Sequence, residues 1–261
     1  HPLKPRRPRY TYELVDSYGG FDVPQVELVR PRLATDDELL GFHKREYIDA
    51  VRAMSLGVVS IDPASFGFDK GDNPVHEGMY EASLLSSGAS MLAAELLISG
   101  EWDSVMSISG GLHHAMPRHA SGFCIFNDPV MAINRIVSEG IKVAYVDIDC
   151  HHGDGVQLAY YDTDSVLTIS VHESGEFLFP GTGFTSEEGC GKGRGYSVNL
   201  PLYPYTNDET YLWAFRQVVP PLLESFGPDL IVTQLGMDSH FMDPLTHMSL
   251  TVQGFRKIVT E

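Results

Sequence analysis

The chain has 261 residues, 43% of them hydrophobic, which is enough to bury a full core in one large α/β domain. Its 18 Lys and Arg residues against 35 Asp and Glu residues give a formal net charge of −17. That charge argues against a protein that binds duplex nucleic acid, because phosphate contacts need a basic face. No apolar run reaches the roughly 18 residues that a membrane span needs, and the start of the chain lacks the apolar stretch of a signal peptide. The 3 cysteines have no CxxC spacing, so we expect a cytoplasmic protein without a disulfide framework or a cysteine zinc knuckle.

Helix-like stretches alternate with short β-branched runs of strand length. In chain order, helices are predicted over Thr35–Met54, Gly78–Ile98, Pro129–Glu139 and Asp208–Phe226. Strands are predicted over Ser104–Ser109, Lys142–Ile148, Ser165–Val171 and Leu230–Leu235. Such alternation is typical of βαβ units. The expected fold is therefore α/β, as a single domain with a mainly parallel sheet and helices on both faces.

Ionisable residues follow each predicted strand. In chain order, these segments are GGLHH at 110–114, DIDCHHGDG at 147–155, His172-Glu173 and Gly236-Met237-Asp238. Ligands of parallel α/β sheets bind outside the carboxyl ends of the strands. The sequence therefore places the functional site at this edge of the sheet.

A metal site is the favoured interpretation of the longest of these segments. Side chains alternate along a strand, so Asp147, Asp149 and His151 project to one side, where two carboxylates need a bound cation or a raised pKa. With Asp238 as a third ligand beside Asp149 and His151, an N/O set with an open position indicates catalytic zinc, although manganese or iron(II) also accept such ligands. The competing interpretation is an ordinary acidic turn with a helix cap. The length of the DxDxHHGDG pattern argues against that turn.

The paired His113 and His114 are candidate acid and base residues. Two glycines before them permit a tight turn and a close approach of backbone to substrate. Asp147 and Asp154 are available to hold each imidazole through its second ring nitrogen, which would tune one histidine as base and the other as acid. Taken alone, the two histidines could equally be structural residues held by hydrogen bonds.

Six ordered motifs, preceded by His1-Pro2 and Lys4-Pro5, resemble the histone deacetylase superfamily. The match is to its class I-like branch, which includes bacterial acetoin-utilization proteins. The motifs are GGLHHA (110–115), SGFCIFND (121–128), VDIDCHHGDGV (146–156), FPGTG (179–183), GKGRGYSVNLPL (191–202) and QLGMD (234–238). The resemblance implies an arginase/deacetylase-like fold. It also implies zinc on Asp149, His151 and Asp238, with the histidine pair and its two aspartates in catalysis.

Further roles depend on the resemblance alone. It implies that Phe123, with Gly122 beside it, and Phe179 wall a tunnel for the lysine methylenes, and that Asp72 grips the substrate backbone at the rim. Similar proteins also bind potassium. The resemblance places it around Asp147, Asp149, His151 and Ser170, with a second site near Tyr160, Thr163, Val166 and Tyr196.

Two departures from the family pattern concern the ends of the chain. The family has a strand before the His-Pro element, and downstream of the third zinc ligand it has a glycine-rich segment that ends in a catalytic tyrosine. Residues 1–261 contain neither, and the chain reads as a helix where it stops. We expect 1–261 to be a single deacetylase domain, incomplete at both ends, whose gene supplies both elements.

The predicted activity is zinc-dependent hydrolysis of acetyl or other acyl amides on lysine-like amines, with metal-activated water and a histidine acid/base pair. The expected partner is an acetylated lysine peptide or protein, or a small acyl-amine. One alternative is an arginase-like binuclear manganese amidinohydrolase, whose pattern the segment 238–244 (DSHFMDP) weakly resembles. Another is a zinc-containing acyl-lysine binding module without turnover, supported by the missing tyrosine. The sequence does not set the oligomeric state.

Overall fold

A computed structural model describes residues 4–261, so the His1-Pro2 element of the family pattern lies outside the described residues. Contacts divide the chain into two compact units, His1–Arg135 and Ile136–Glu261. One deacetylase domain over 1–261 stays a prediction.

The described part of the first unit is built from helices. They are α1 (Arg6–Ser17), α2 (Asp36–Leu40), α3 (Arg45–Ser55), a 3₁₀ turn (Pro63–Phe66), α4 (Met79–Ile98) and the start of α5 (Asp128–Val137). The prediction of one helix over Thr35–Met54 is wrong, because α2 ends at the cap residue Gly41 and Lys44 is extended before α3. A capping box fixes the start of α2: the Thr35 side chain accepts from the Glu38 N–H, and the Glu38 side chain accepts from the Thr35 N–H.

The core of the first unit lies between α3, α4 and the segment before α5. Tyr47 and Ile48 of α3, Met79 of α4, and Phe126 are buried in one cluster. By length and composition α4 could cross a membrane, with a mean hydropathy of 1.2 over its most apolar window. Because several of its side chains belong to this cluster, we interpret α4 as a core helix.

The predicted strand Ser104–Ser109 is absent from the described structure. The segment is irregular, and the Met106 side chain is 73% exposed. A strand needs a neighbour to complete its hydrogen bonds. Within residues 4–135 the structure describes no strand, only an isolated bridge between Ser121 and Cys124. A β-branched pattern alone was therefore insufficient to predict a strand at Ser104–Ser109.

The second unit contains a four-stranded parallel sheet in the order β3-β2-β1-β4. Its strands are β1 (Val143–Asp147), β2 (Val166–Glu173), β3 (Ser197–Leu202) and β4 (Leu230–Gln234). Three of them confirm predicted strands, whereas β3 was recognised only as part of a motif. The register aligns Asp147 at the end of β1 with Ser170 on β2 and Gln234 on β4.

Three helices complete the second unit: α6 (Asp154–Tyr160), α7 (Asp208–Phe226) and α8 (Val252–Val259). Both α6 and α7 contact β2. Buried Ile169 and Val171 of β2 share a cluster with Tyr211 and Phe215 of α7 and Ile258 of α8. The predicted α/β class with a parallel sheet is confirmed, as are the bounds of α7 and the helix near the end of the chain.

Candidate active site

Three potential metal ligands converge beyond the carboxyl ends of β1 and β4. One ligand atom from each of Asp149, His151 and Asp238 lies within 4.8 Å of the others. His151 Nδ1 is 2.7 Å from Asp238 Oδ2 and 3.1 Å from Asp149 Oδ1. The three side chains are 13 to 18% exposed, so the cluster is mostly buried but still in contact with solvent.

Hydrogen bonds orient the two carboxylates. Asp149 Oδ1 accepts from the His151 N–H at 2.8 Å, and Asp149 Oδ2 accepts from Gln234 Nε2 at 3.0 Å. Asp238 Oδ1 accepts from the Cys150 N–H at 2.8 Å. Each carboxylate is thus oriented by a hydrogen bond to at least one of its two oxygens. Asp238 Oδ2 remains directed at the His151 imidazole.

Gly236 makes room for this arrangement. A Cβ at position 236 would lie 2.1 Å from Asp149 Oδ2, so no larger residue fits without moving the carboxylate. The Gly236 N–H also donates to Gln234 Oε1 at 2.6 Å, which fixes the carboxamide that holds Asp149. The QLGMD motif therefore supplies both the support of Asp149 and the third carboxylate of the cluster, Asp238.

The charges of the cluster favour a cation. Burial lowers the pKa of His151, but hydrogen bonds to Asp149 and Asp238 outweigh it and raise that pKa to about 10. Burial and repulsion from Asp149 raise the pKa of Asp238 to about 6. Both shifts arise because two carboxylates share a small space, where a positive charge stabilises them. One imidazole nitrogen and two carboxylates are a donor set that fits Zn²⁺, Mn²⁺ or Fe²⁺.

Asp147 and Asp154 flank the cluster in sequence. The Tyr145 hydroxyl donates to Asp147 Oδ2 at 2.7 Å, and Asp147 Oδ1 accepts from the Asp149 N–H at 3.1 Å. Asp154 begins α6 and accepts from the Gly155 N–H at 2.9 Å. These contacts place Asp147 directly beneath the loop that carries Asp149.

The histidine pair lies in the first unit. His113 and His114 are buried, and their ring centroids are 4.0 Å apart. The GGLHHA motif therefore brings the two imidazoles side by side. Their pairing with Asp147 and Asp154 stays a prediction.

Phe123 occupies a strained turn in the first unit. Ser121 and Cys124 exchange backbone hydrogen bonds of 3.1 and 2.8 Å, and the two residues between them, Gly122 and Phe123, have φ of 51° and 70°. Positive φ at both central positions is a feature of type I′ turns. A left-handed bulky residue costs about 1–3 kcal/mol, and such strain clusters at functional sites.

Phe179 lies on a loop of the second unit and directs its ring toward His151. Its ring centroid is 6.3 Å from that of His151, and its side chain is 44% exposed. Glu187 holds the end of this loop by accepting from the Gly183 and Phe184 N–H groups, each at 3.0 Å. An exposed aromatic ring next to the cluster is therefore in a position to contact a substrate.

Asp72 is exposed on a tight loop in the first unit. Asp69 Oδ1 accepts from the N–H groups of Gly71 and Asn73 at 2.7 and 3.2 Å, and this closes the loop around Asp72. Asp72 is thereby presented to solvent, as a residue at a rim would be.

The residues implied in potassium binding all lie in the second unit. Ser170 Oγ is 2.9 Å from His172 Nδ1, and the carbonyls of Tyr160 and Tyr196 accept from the Thr163 and Thr168 N–H groups. Val166 begins β2. The potassium sites stay a prediction.

Several supporting residues were missed by sequence reasoning. Gln234, Asn127 and Asp128 occur in the quoted motifs without an assigned role, and His43 was not singled out. Their contacts are between residues far apart in sequence, such as the 2.9 Å bond from the Asn127 N–H to His43 Nε2. For Gln234, Asn127 and Asp128, presence inside a motif was the one available signal, and for His43 the sequence offered none.

The fold and the cluster of Asp149, His151 and Asp238 are those expected of a deacetylase-type hydrolase, and the comparisons name the family. Residues 1–261 match the family model of the histone deacetylase domain, so the chain belongs to the histone deacetylase family. The chain is 42% identical over 260 residues to the acetoin utilization protein AcuC of Bacillus subtilis, and 41% identical to that of Staphylococcus xylosus. These alignments cover 99% of this chain and 67% of each relative.

Solved structures agree with the family assignment. The crystal structure of an HDAC homolog from Aquifex aeolicus is similar with a TM-score of 0.84 and 36% sequence identity. An HDAC homolog complexed with SAHA gives a TM-score of 0.85 at 36% identity. Each comparison covers 90% of this chain and 63% of the other. The chain thus spans less than two thirds of the solved structures, and its predicted arginase/deacetylase-like fold is confirmed.

Proposed function

We propose that this protein hydrolyses acetyl or other acyl amides on lysine-like amines, with one divalent ion, Zn²⁺ in the first instance, on Asp149, His151 and Asp238. The observation that carries the proposal is the convergence of these three side chains, in a chain of the histone deacetylase family. Three protein ligands leave an open position, which is typical of catalytic rather than structural zinc.

A bound divalent ion would supply Lewis acidity, which would polarise the amide carbonyl and lower the pKa of the attacking water toward about 7. The proton transfers are assigned to residues of the chain. We assign proton removal from the water and proton delivery to the leaving amine to His113 and His114, each transfer contributing ~10²–10⁴ in rate. Asp147 and Asp154 are assigned to hold the two imidazoles in the required tautomers.

The substrate proposal uses the aromatic side chains and the charge of the protein. Phe123, beside Gly122, and Phe179 would contact the methylenes of a lysine, and Asp72 would accept hydrogen bonds from substrate N–H groups. A net charge of −17 attracts a cationic peptide or amine to the surface. The HDAC homolog complexed with SAHA supports a ligand site in this fold.

Potassium at the two sites implied by the family, and a cytoplasmic location, are further parts of the proposal. Potassium would be held by oxygen atoms near Ser170 and near Tyr196, and a dependence of thermal stability on K⁺ rather than Na⁺ would support it. The sequence has only three cysteines and no CxxC spacing, which suits a reducing compartment. Cell fractionation tests the location.

The arginase-like alternative requires a second metal with additional carboxylates. Asp243 is a candidate ligand for it, but Asp243 Oδ1 accepts from the Leu245 N–H at 2.8 Å, and His240 Nδ1 accepts from the Met242 N–H at 3.3 Å. Both side chains therefore already accept hydrogen bonds from backbone N–H groups two residues further along the chain. This local arrangement favours the mononuclear proposal.

The test combines metal content with turnover. The protein is stripped with a chelator, titrated with Zn²⁺, and assayed for acetate release from an acetyl-lysine peptide. We expect activity to return as occupancy approaches one ion per chain. Two ions per chain, with hydrolysis of a guanidinium substrate, would establish the alternative. One ion with peptide binding but no acetate release, even in a single turnover, would indicate a binding module and overturn the proposed activity.

A further inference from the structure

The loop that carries the histidine pair has no regular secondary structure of its own. Residues 110–115 belong to no helix or strand, although both imidazoles are buried. Buried backbone groups need hydrogen-bond partners. Side chains at the start of α5 supply several of these partners.

Asp128 holds the first half of the loop. Its carboxylate accepts from the Gly111 and Leu112 N–H groups at 3.0 and 2.8 Å and from Ser90 Oγ of α4 at 2.6 Å. The Asp128 side chain is buried, and a Cβ on Gly110 would lie 2.6 Å from its Oδ2. The glycine pair of the GGLHHA motif is therefore packed directly against this carboxylate.

Asn127 holds the second half of the loop. Its Nδ2 donates to the carbonyls of His113 and Ala115 at 3.1 and 3.0 Å, so both amide hydrogens are used on either side of His114. Its Oδ1 accepts from the Val130 N–H at 3.1 Å, which caps α5. Only an amide satisfies this pattern, because the site needs two donors and one acceptor.

His43 fixes Asn127 from the opposite side. His43 Nε2 accepts from the Asn127 N–H at 2.9 Å, and its Nδ1 donates to the Met116 carbonyl at 3.0 Å. This arrangement requires a neutral imidazole with the proton on Nδ1. The ring thereby ties the start of α5 to Met116, two residues after His114.

We propose that His43, Asn127 and Asp128 are positioning residues that set the location of the His113–His114 pair. The inference rests on the proposed acid/base function of that pair. None of the three is assigned a contact with substrate. Their hydrogen bonds fix the backbone on both sides of each catalytic histidine, and a displacement of about 1 Å at such a position costs ~10² in rate.

The test is Asn127→Asp, which preserves size and the oxygen that caps α5. In the variant, a carboxylate oxygen takes the place of the donating Nδ2 group opposite the carbonyls of His113 and Ala115. Both donated hydrogen bonds are therefore lost. We expect kcat to fall ~10²-fold with KM changed less than ~3-fold and with unchanged Zn²⁺ affinity. The matched control is Asn134→Asp on the same helix, where Nδ2 donates to the Gly41 carbonyl at 3.2 Å, and we expect it to behave like the wild type.

A second readout separates this inference from the proposed function. NMR signals of the His113 and His114 imidazoles, recorded without substrate, should shift in Asn127→Asp and not in Asn134→Asp. Unchanged imidazole signals in a folded Asn127→Asp protein would overturn the network, whatever the activity of the wild type. Ser90→Ala, which removes one of the hydrogen bonds to Asp128, is a milder variant that tests the same network if Asn127→Asp does not fold. It should shift the same signals by a smaller amount, and no shift in Ser90→Ala would also contradict the proposal.

Discussion

The metal-ligand cluster and the paired-histidine loop achieve their geometry by different means. Asp149 and His151 follow β1, and Asp238 follows β4, so the backbone ladder of neighbouring parallel strands carries these residues to the same edge. The histidine loop has no such ladder in its own unit and depends on the side chains of Asn127 and Asp128. A strand ladder is maintained by many backbone bonds, whereas the loop is maintained by a few side-chain bonds.

This difference predicts how each region responds to substitution. Removing a ligand from the cluster should abolish metal binding but leave the sheet intact, because the ladder does not use the ligand side chains. Removing a support of the histidine loop should move the two imidazoles without changing the affinity for metal. Metal content and turnover, measured on the same variant, distinguish these two kinds of failure.

The largest expected effect follows from Asp238→Ala. Loss of a ligand should weaken Zn²⁺ binding by more than the ~10–100-fold typical of an outer-shell partner, and acetate release should become undetectable. Metal titration with a competing chelator measures this. Asp229→Ala, at the opposite end of β4, where Asp229 accepts from the Lys142 N–H, should retain full affinity. Full metal occupancy in Asp238→Ala would remove Asp238 from the ligand set.

A smaller loss is expected for His114→Ala. The variant should keep its metal and lose ~10²–10⁴ in kcat, because the imidazole is assigned to proton transfer and not to coordination. Steady-state kinetics and metal analysis on the same sample provide the measurement. His119→Ala, an exposed histidine five residues away, is the control. An empty metal site in His114→Ala would refute the division between ligands and bases.

Gln234→Ala should weaken the metal site in a graded way. The carboxamide holds Asp149 Oδ2, so its loss should reduce Zn²⁺ affinity by ~10–100-fold while the protein stays folded. Thr233→Ala, the preceding and exposed residue on β4, should leave affinity unchanged. Equal affinities for the two variants would show that the strand ladder alone orients Asp149.

The smallest effect concerns the pH dependence of stability in the first unit. Burial lowers the pKa of His43 from 6.5 to about 4, which the hydrogen bond to Met116 only partly offsets. Since the unfolded chain then binds more protons below pH 6.5, stability is full above that pH and falls as pH decreases toward about 4. At pH 5.5 the linked loss is about 1.4 kcal/mol.

Urea unfolding of wild type and His43→Gln at pH 7.5 and 5.5 isolates this contribution. The wild type should lose about 1.4 kcal/mol more than His43→Gln between the two pH values. His119 is exposed, so His119→Gln should show the same pH dependence of stability as the wild type. The same pH dependence in wild type and His43→Gln would contradict a buried, neutral His43.

The sequence by itself determined the class of fold and which three side chains, Asp149, His151 and Asp238, converge at one edge of the sheet. Asp149 and His151 are two residues apart beyond a β-branched run, and Asp238 follows another, 87 residues from His151. Parallel strands bring such strand ends together whatever the length of the connection, so the pattern sufficed. The paired histidines and the motifs around them were equally visible, and they pointed to the family that the comparisons then identified.

Tertiary structure decided the features that depend on contacts between distant residues. Whether Ser104–Ser109 forms a strand depends on a neighbour, and within its own unit the described structure gives it none, whereas Ser197–Leu202 becomes β3 because β2 pairs with it. The left-handed backbone of Phe123 is likewise set by the turn that closes between Ser121 and Cys124. The roles of Gln234, Asn127 and His43 depend on which group each polar side chain meets. Composition and periodicity report burial and secondary structure, but they do not specify the partner of a buried hydrogen bond.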